Sequence, residues 1–201
     1  MNKLYQNDIP ADINWGNIIA VDTETMGLNN HRDRLCVVQL SSGDGNAHLV
    51  QLNNNYDCPN LKALLADNSV TKIFHYARFD VAVMYKYLDI LVQPIYCTKI
   101  ASKLTRTFTD KHGLKNNLRD VLGIEVSKEQ QSSDWGAAEL NNKQVEYAAN
   151  DVLYLHKLKE HFDNVLQREG RTEFANKCFE FIPTLAQLDL QGWDEEIFSH
   201  R

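Results

Sequence analysis

Apolar and β-branched residues cluster in short runs along the first half of the chain, and this pattern predicts strands. A Ser-Gly-Asp-Gly-Asn stretch at 42–46 favours a hairpin between the second run and the third. The predicted strands are 17–23, 34–42, 46–52 and 71–76, with a short fifth candidate at 94–98.

Helical periodicity dominates the second half, after a short predicted helix at 61–66. A helix that begins near residues 78–80 has Ala82, Val83 and Leu88 among its buried positions. Because strands come first and helices follow, we predict an α/β fold in which helices flank a mixed sheet.

The clearest helix is predicted between Asn141 and Gly170. Asn141 suits the N-cap position, and Gln144 three residues later completes a capping-box pattern. Apolar residues then recur at helical spacing up to Gly170, which is a typical helix end. The pattern therefore predicts one long helix over this stretch.

Composition fits a single domain over residues 1–201, because 43% of the residues are hydrophobic. We expect no membrane span and no signal peptide, since no apolar run is long enough for either. The four cysteines show no C-x-x-C spacing, so neither zinc nor a disulfide framework is indicated. A cytoplasmic enzyme is the default prediction.

The formal net charge of −6 argues against a protein that coats long nucleic acid. One basic patch is a candidate for guiding a smaller anionic substrate, and a solvated helix face explains it equally well. Its members are Lys99, Lys103, Arg106, Lys111, Lys115 and Arg119.

Four acids and a tyrosine carry the candidate chemistry. Asp22 and Glu24 stand in IIAVDTETMGL, Asp80 ends FHYARFD, and Tyr147 and Asp151 stand in VEYAANDVLYL. Acids at the end of a buried strand are costly unless they have a partner. Carboxylates that meet in one pocket suit Mg²⁺ or Mn²⁺, and a pair of such ions commonly serves to cut phosphodiesters. The sequence therefore predicts a nuclease.

Similar pairs elsewhere have no such context. Asp194 and Glu196 repeat the D-x-E spacing, and Tyr85 and Asp89 repeat the Y-x-x-x-D spacing. We expect these residues to be ordinary surface charges.

In combination, the motifs DTETMGL, FHYARFD and YAAND resemble those of the DEDDy 3′–5′ exonucleases, in the same order. The stretch GLKNNLRDVLGIEVSKEQQSSDW is similar to the ribonuclease D branch, and the resemblance runs from about Ile18 to about Leu158. It implies a ribonuclease H-like fold, a motif-bearing core at about 18–158 and a helical extension at about 159–201. The compact chain is most similar to the short-RNA-degrading members, which implies a ring-like homo-oligomer.

The resemblance also implies roles for the five residues. Asp22, Glu24 and Asp151 would hold the ion that carries the attacking water. Asp22 would also bridge to a second ion, held by Asp80 directly or through water. Tyr147 would orient the water, because an ordinary tyrosine pKa of about 10 makes it a poor base.

Three residues are candidates for substrate binding. Leu28 matches a leucine that wedges between the last two bases, although core packing after the first motif is an equal alternative. His75 is expected to contact the terminal sugar or phosphate, unless it is a structural hydrogen-bonding group. Lys115 is expected to contact phosphate.

Short single-stranded RNA, cut to nucleoside 5′-monophosphates, is the substrate this resemblance favours. Three alternatives stay open: 3′ trimming of longer RNA or DNA, a non-catalytic nucleic-acid-binding module, and an unrelated metal-dependent phosphatase or small-molecule hydrolase.

Overall fold

A mixed sheet lies at the centre of the computed structural model, which describes residues 2–126, 129–130, 132–193 and 195–200. Within these ranges the sheet has six strands in the order β1-β4-β3-β2-β5-β6. Their bounds are Asn2–Gln6 for β1, Ile18–Thr25 for β2, Leu35–Ser41 for β3, Ala47–Gln51 for β4, Thr71–Phe74 for β5 and Ile95–Cys97 for β6.

The strand directions explain where the candidate motifs meet. The predicted hairpin is confirmed, because β3 and β4 pair antiparallel across the turn at 42–46. β2 pairs antiparallel with β3 and parallel with β5, so it sits at the middle of the sheet. The chain that leaves β5 therefore emerges at the same edge of the sheet as the end of β2.

One strand lies outside the prediction. β1 pairs parallel with β4 at the sheet edge, and four of its five residues are exposed. An exposed edge strand carries no buried alternation, so the sequence NKLYQ gives no hydrophobic signal for it.

Helices cover the sheet on both sides. Their bounds are Pro59–Ala66 for α1, Ala77–Leu88 for α2, Thr98–Thr105 for α3, Leu114–Leu122 for α4, Asn142–Leu153 for α5, Leu155–Arg168 for α6 and Thr172–Leu190 for α7, with a 3₁₀ turn at Glu195–Phe198. α5 packs on β2, β3 and β4, while α6 packs on α3 and α7 packs on α2. The predicted α/β fold with a mixed, helix-flanked sheet is confirmed.

The prediction of one long helix is wrong. α5 and α6 are separate helices that meet at Tyr154, whose backbone (φ −111°, ψ −1°) interrupts the helical path. The interruption lets α5 lie along the sheet and α6 turn toward α3. Apolar residues keep helical spacing through the break, so periodicity does not reveal it. The start of the helix is confirmed, since Asn141 and Gln144 exchange both capping-box hydrogen bonds.

α6 also runs through residue 159, where we placed the start of the helical extension, and it buries Phe162 and Leu166 in the core. Among the described residues, no helix has the length and hydropathy needed to span a membrane.

Candidate active site

Three elements bring the five motif residues together. Asp22 and Glu24 are two positions apart in β2, so their side chains leave the same face of the sheet. Asp80 lies in the first turn of α2, which follows β5 directly. Tyr147 and Asp151 lie one turn apart on α5, which packs on β2. The expected juxtaposition therefore follows from strand order and helix packing.

Asp22, Glu24 and Asp151 form the tightest group. One carboxylate oxygen from each of them lies within 4.8 Å of the other two. All three donors are oxygen atoms, as a hard cation such as Mg²⁺ prefers, and none is the sulfur or imidazole nitrogen that is typical of zinc sites. These residues fit a divalent ion that carboxylates bind.

Asp80 lies beside this group and is held by a residue that the sequence analysis did not single out. Its side chain is 4% exposed, and its Oδ1 accepts a hydrogen bond from Thr23 Oγ1 at 2.6 Å. Thr23 stands between Asp22 and Glu24 in β2, so one short segment supplies two acids and the hydroxyl that orients another. A threonine inside a strand is common, and its spacing to Asp80 along the chain carries no signal.

Burial raises the pKa of every acid in the site, and repulsion from neighbouring acids adds to it for Asp22, Glu24 and Asp151. Burial, with the charges of Asp151 and Asp80, raises the pKa of Glu24 to about 9. Burial raises the pKa of Asp80 to about 7, and burial together with Asp80 raises the pKa of Asp151 to about 7. The pKa of Asp22 is raised well above its ordinary value by burial and by all three neighbours. A divalent cation would relieve the repulsion that favours these protonated forms.

Tyr147 lies close enough to the acids for their charges to act on its hydroxyl. Burial and the charges of Asp151, Glu24 and Asp22 raise the pKa of its hydroxyl above the ordinary value. Its ring packs against the ring of Trp135, which is 2% exposed, with 6.0 Å between the ring centroids. A tyrosine with a raised pKa keeps its proton at neutral pH, so this environment favours orientation of a water molecule over proton removal.

Leu28 is not a core residue. Its side chain is 89% exposed in the loop that follows β2, so the alternative of core packing is wrong. An exposed leucine four positions after Glu24 is free to meet an apolar surface near the acids.

His75 is held as a neutral side chain. Thr98 Oγ1 donates to the carbonyl of Phe74, so the short contact of 2.9 Å between Thr98 Oγ1 and His75 Nδ1 assigns the ring proton to Nδ1. Burial and the charge of Lys99 lower the pKa of His75 to about 3. At neutral pH the ring therefore brings no positive charge to a phosphate, and its Nε2 is buried, which favours the alternative of a structural hydrogen-bonding group.

The basic patch is smaller than its sequence indicates. Arg106 is 6% exposed and pairs with Asp120 at 2.6 Å, and Arg119 pairs with the same carboxylate at 2.8 Å. These two arginines therefore form ion pairs within the fold and contribute less to the basic patch. Lys115 lies in the first turn of α4 and is partly exposed.

The residues that repeat the D-x-E and Y-x-x-x-D spacings lie apart from the acids. Asp89 ends α2 at the opposite end from Asp80, and Tyr85 lies on the same helix beside it. Glu196 lies in the 3₁₀ turn near the C-terminus. Asp194 falls outside the described residues.

Oxygen-donor acids gathered around the central strand of a mixed sheet are typical of metal-dependent nuclease domains. The profile of the 3′–5′ exonuclease family matches residues 7–167. The chain belongs to this family, and the resemblance seen in its motifs is confirmed.

Relatives and solved structures refine the position within the family. Ribonuclease D of Granulibacter bethesdensis is 31% identical over 159 residues, which cover 79% of this chain and 40% of that protein. Brucella melitensis NrnC (nanoRNase C) with bound Mg²⁺ is 51% identical with a TM-score of 0.95, and the match covers 100% of this chain and 99% of that one. The same protein bound to pGG is 52% identical with a TM-score of 0.96, covering 100% and 98%.

The curated ribonuclease D relatives are longer proteins, and the chain spans about 40% of their length. The match to NrnC extends over nearly the whole of both chains.

Proposed function

We propose that this chain is a metal-dependent 3′–5′ exoribonuclease that hydrolyses short single-stranded RNA to nucleoside 5′-monophosphates. The convergence of Asp22, Glu24 and Asp151 within 4.8 Å, beside Asp80 and Tyr147, carries the proposal. The substrate class is supported by the similarity to Brucella NrnC, which binds pGG, a 5′-phosphorylated dinucleotide.

The acids would hold two divalent ions, Mg²⁺ or Mn²⁺. Asp22, Glu24 and Asp151 would bind the first, and Asp22 with Asp80 would bind the second. When bound, the ions would supply an activated water and neutralise charge on the departing 3′ oxygen. Thr23 would keep the Asp80 carboxylate in its orientation through their hydrogen bond.

Tyr147 would orient the attacking water by donating a hydrogen bond. Its raised pKa supports this role, because the hydroxyl remains protonated over the neutral range. The buried Trp135 ring packs against the Tyr147 ring and would help to hold its orientation.

At the substrate end, Leu28 would insert between the last two bases, which an apolar side chain does without sequence preference. His75 would serve as a structural hydrogen-bonding group, since its Nδ1 donates to Thr98 Oγ1 and its Nε2 is buried. Lys115 would pair with a phosphate.

Trimming of longer RNA is the second candidate, and the ribonuclease D relatives favour it. A non-catalytic module is disfavoured, because four buried acids that repel each other destabilise a fold that has no use for them. A cytoplasmic location and a ring-like homo-oligomer stay proposals, and sedimentation of the purified protein tests the second.

The proposed chemistry is tested with RNA labelled at its 5′ end, incubated with Mg²⁺, with Mn²⁺, or with excess chelator. We expect stepwise shortening from the 3′ end, release of nucleoside 5′-monophosphates, and loss of activity in chelator. Full activity in chelator would exclude the two-ion mechanism. Turnover of a simple phosphate monoester without cleavage of RNA would favour the phosphatase alternative.

A further inference from the structure

A short segment between α4 and α5 contacts both the catalytic helix and the loop that carries Leu28. We call residues 133–138 the clamp segment. On one side, Gln144 of α5 donates from Nε2 to the Asp134 carbonyl at 3.0 Å, and buried Trp135 packs on Tyr147. The clamp segment is therefore fixed to the helix that bears Tyr147 and Asp151.

On its other side, the clamp segment reaches the first part of the chain. Gln51 at the end of β4 donates from Nε2 to the Ala137 carbonyl at 2.8 Å. Arg34 donates from Nη2 to the Gly136 carbonyl at 3.3 Å, and the Arg34 carbonyl accepts from the Met26 backbone N–H at 3.1 Å. Met26 stands two positions before Leu28.

Gly136 packs directly on the side chain of Met26. A Cβ atom at position 136 would overlap Met26 Sδ and would lie 3.0 Å from Arg34 Nη2 and 3.3 Å from Met26 Cε. The φ angle of Gly136 does not lie in the positive range that favours glycine, so its backbone can accommodate alanine. A side chain at position 136 would therefore displace the thioether end of Met26, a flexible side chain that is 51% exposed, rather than strain the backbone.

We propose that Gly136 is a positioning residue, which sets the place of Leu28 relative to Tyr147 by seating Met26 against the clamp segment. The inference rests on the proposed role of Leu28 as a wedge between two bases. Because Leu28 is 89% exposed, nothing in its own packing fixes its position. Its backbone is held within the loop by the hydrogen bonds of Gly27 to Thr25 and of Asn29 to Asp33. The contacts of Met26 and Arg34 tie this loop to the clamp segment.

The test compares two substrates of the same phosphodiester chemistry. One is pGG, which has two bases to be separated. The other is a p-nitrophenyl ester of a nucleoside 5′-monophosphate, which has one base and gives the wedge nothing to separate. A fault in wedge position should affect the first substrate and spare the second.

We expect Gly136→Ala to lower kcat/KM for pGG by about tenfold, since small misplacements of a positioned group have effects of this order. The rate on the ester should stay within about twofold of wild type, because the acids and Tyr147 are unchanged. The matched control is Gly113→Ala, whose Cβ would meet only Asn116 Oδ1 at 3.4 Å within 4 Å, and it should leave both rates unchanged.

A double-mutant cycle tests the route through Met26. The loss in Gly136→Ala with Met26→Ala should be no greater than in Met26→Ala alone, because the added methyl group has no Met26 thioether left to displace. Additive losses would overturn the proposed contact. If Gly136→Ala does not fold, Met26→Ala alone still has to show the selective loss on pGG.

Leu28→Ala separates this inference from the function on which it rests. A loss on pGG that exceeds the loss on the ester, at an unchanged melting temperature, supports the wedge. If Leu28→Ala shows this selective loss while Gly136→Ala has wild-type rates, or loses activity equally on both substrates, the positioning role is wrong. If Leu28→Ala shows no selectivity, the wedge itself is wrong. Failure of the wild type to cleave pGG would overturn the proposed function.

Discussion

At the scale of single residues, the acids differ from ordinary surface carboxylates in their surroundings. Asp22→Asn, Glu24→Gln, Asp80→Asn and Asp151→Asn should each lower single-turnover rates by several orders of magnitude, because each removes charge that holds a cation. Tyr147→Phe should keep Mg²⁺ binding by calorimetry and lose about 10²–10⁴-fold in rate. Asp89→Asn is the matched control and should have little effect. Near-normal turnover of Asp80→Asn or Asp151→Asn would contradict the site assignment.

The raised pKa values predict how pH changes the stability of the metal-free protein. Asp80 and Asp151 have pKa values of about 7 in the folded protein, compared with the ordinary value of about 4 in the unfolded chain. The folded protein therefore binds these two protons more tightly than the unfolded chain does. Their contribution to stability is complete below the unfolded pKa and is lost as pH rises through 7. In chelator, the melting temperature should therefore fall between about pH 5 and pH 8, most steeply below pH 7.

Two comparisons isolate this effect from other titrating groups. Asp151→Asn in chelator should show a smaller fall over the same pH range, because the variant lacks one of the titrating carboxyls. Mg²⁺ should stabilise wild type more at pH 8 than at pH 6.5, since it competes with fewer protons. If the melting temperature in chelator stays constant or rises with pH, and does so equally in wild type and Asp151→Asn, repulsion between the acids does not destabilise the metal-free protein.

At the scale of elements, the helix that carries Asp80 is tied to the last helix. Arg78 of α2 binds Asp189 of α7 through two hydrogen bonds, at 2.5 and 2.7 Å, and both side chains are 21% exposed. Asp189→Asn should lower the free energy of unfolding by about 0.5–1 kcal/mol, measured from urea midpoints. Glu173→Gln breaks a more exposed pair with Lys177 on the same helix and should change stability less. Equal changes in stability in the two variants would contradict a role of the Arg78–Asp189 pair in holding α2 against α7.

The elements also show what a sequence can and cannot reveal. The central strands and the capping box at Asn141 are visible because burial and local hydrogen bonding select residue types over short distances. The break at Tyr154 is not visible, because apolar spacing continues through it while the helix changes direction. β1 is not visible either, since its pairing is made by backbone groups of an exposed edge.

At the scale of the whole molecule, the acids were predictable because their chemistry restricts the residue type at each motif position. Contacts between distant segments were not. Thr23 with Asp80, and Gly136 with Met26, depend on how the chain returns to the site after long intervals, and neither residue type signals its partner. The basic patch was overestimated for the same reason, because two of its arginines form ion pairs with Asp120 in the folded chain.

The charge of the whole chain bears on substrate length. A formal net charge of −6 disfavours binding along a long phosphate backbone, and the internal ion pairs of Arg106 and Arg119 leave four lysines in the patch at 99–119. A short RNA needs fewer contacts, because ions at the acids, Leu28 and Lys115 would suffice to hold it.

The most direct test of the account is the single-turnover rate on a 5′-labelled dinucleotide compared with that on a longer single-stranded oligonucleotide, at saturating Mg²⁺ and equal ionic strength. We predict that the dinucleotide is hydrolysed faster, and that a structured RNA is the slowest of all. Equal or faster trimming of the longer strand would contradict the account and would assign the chain to general ribonuclease D-like 3′ processing.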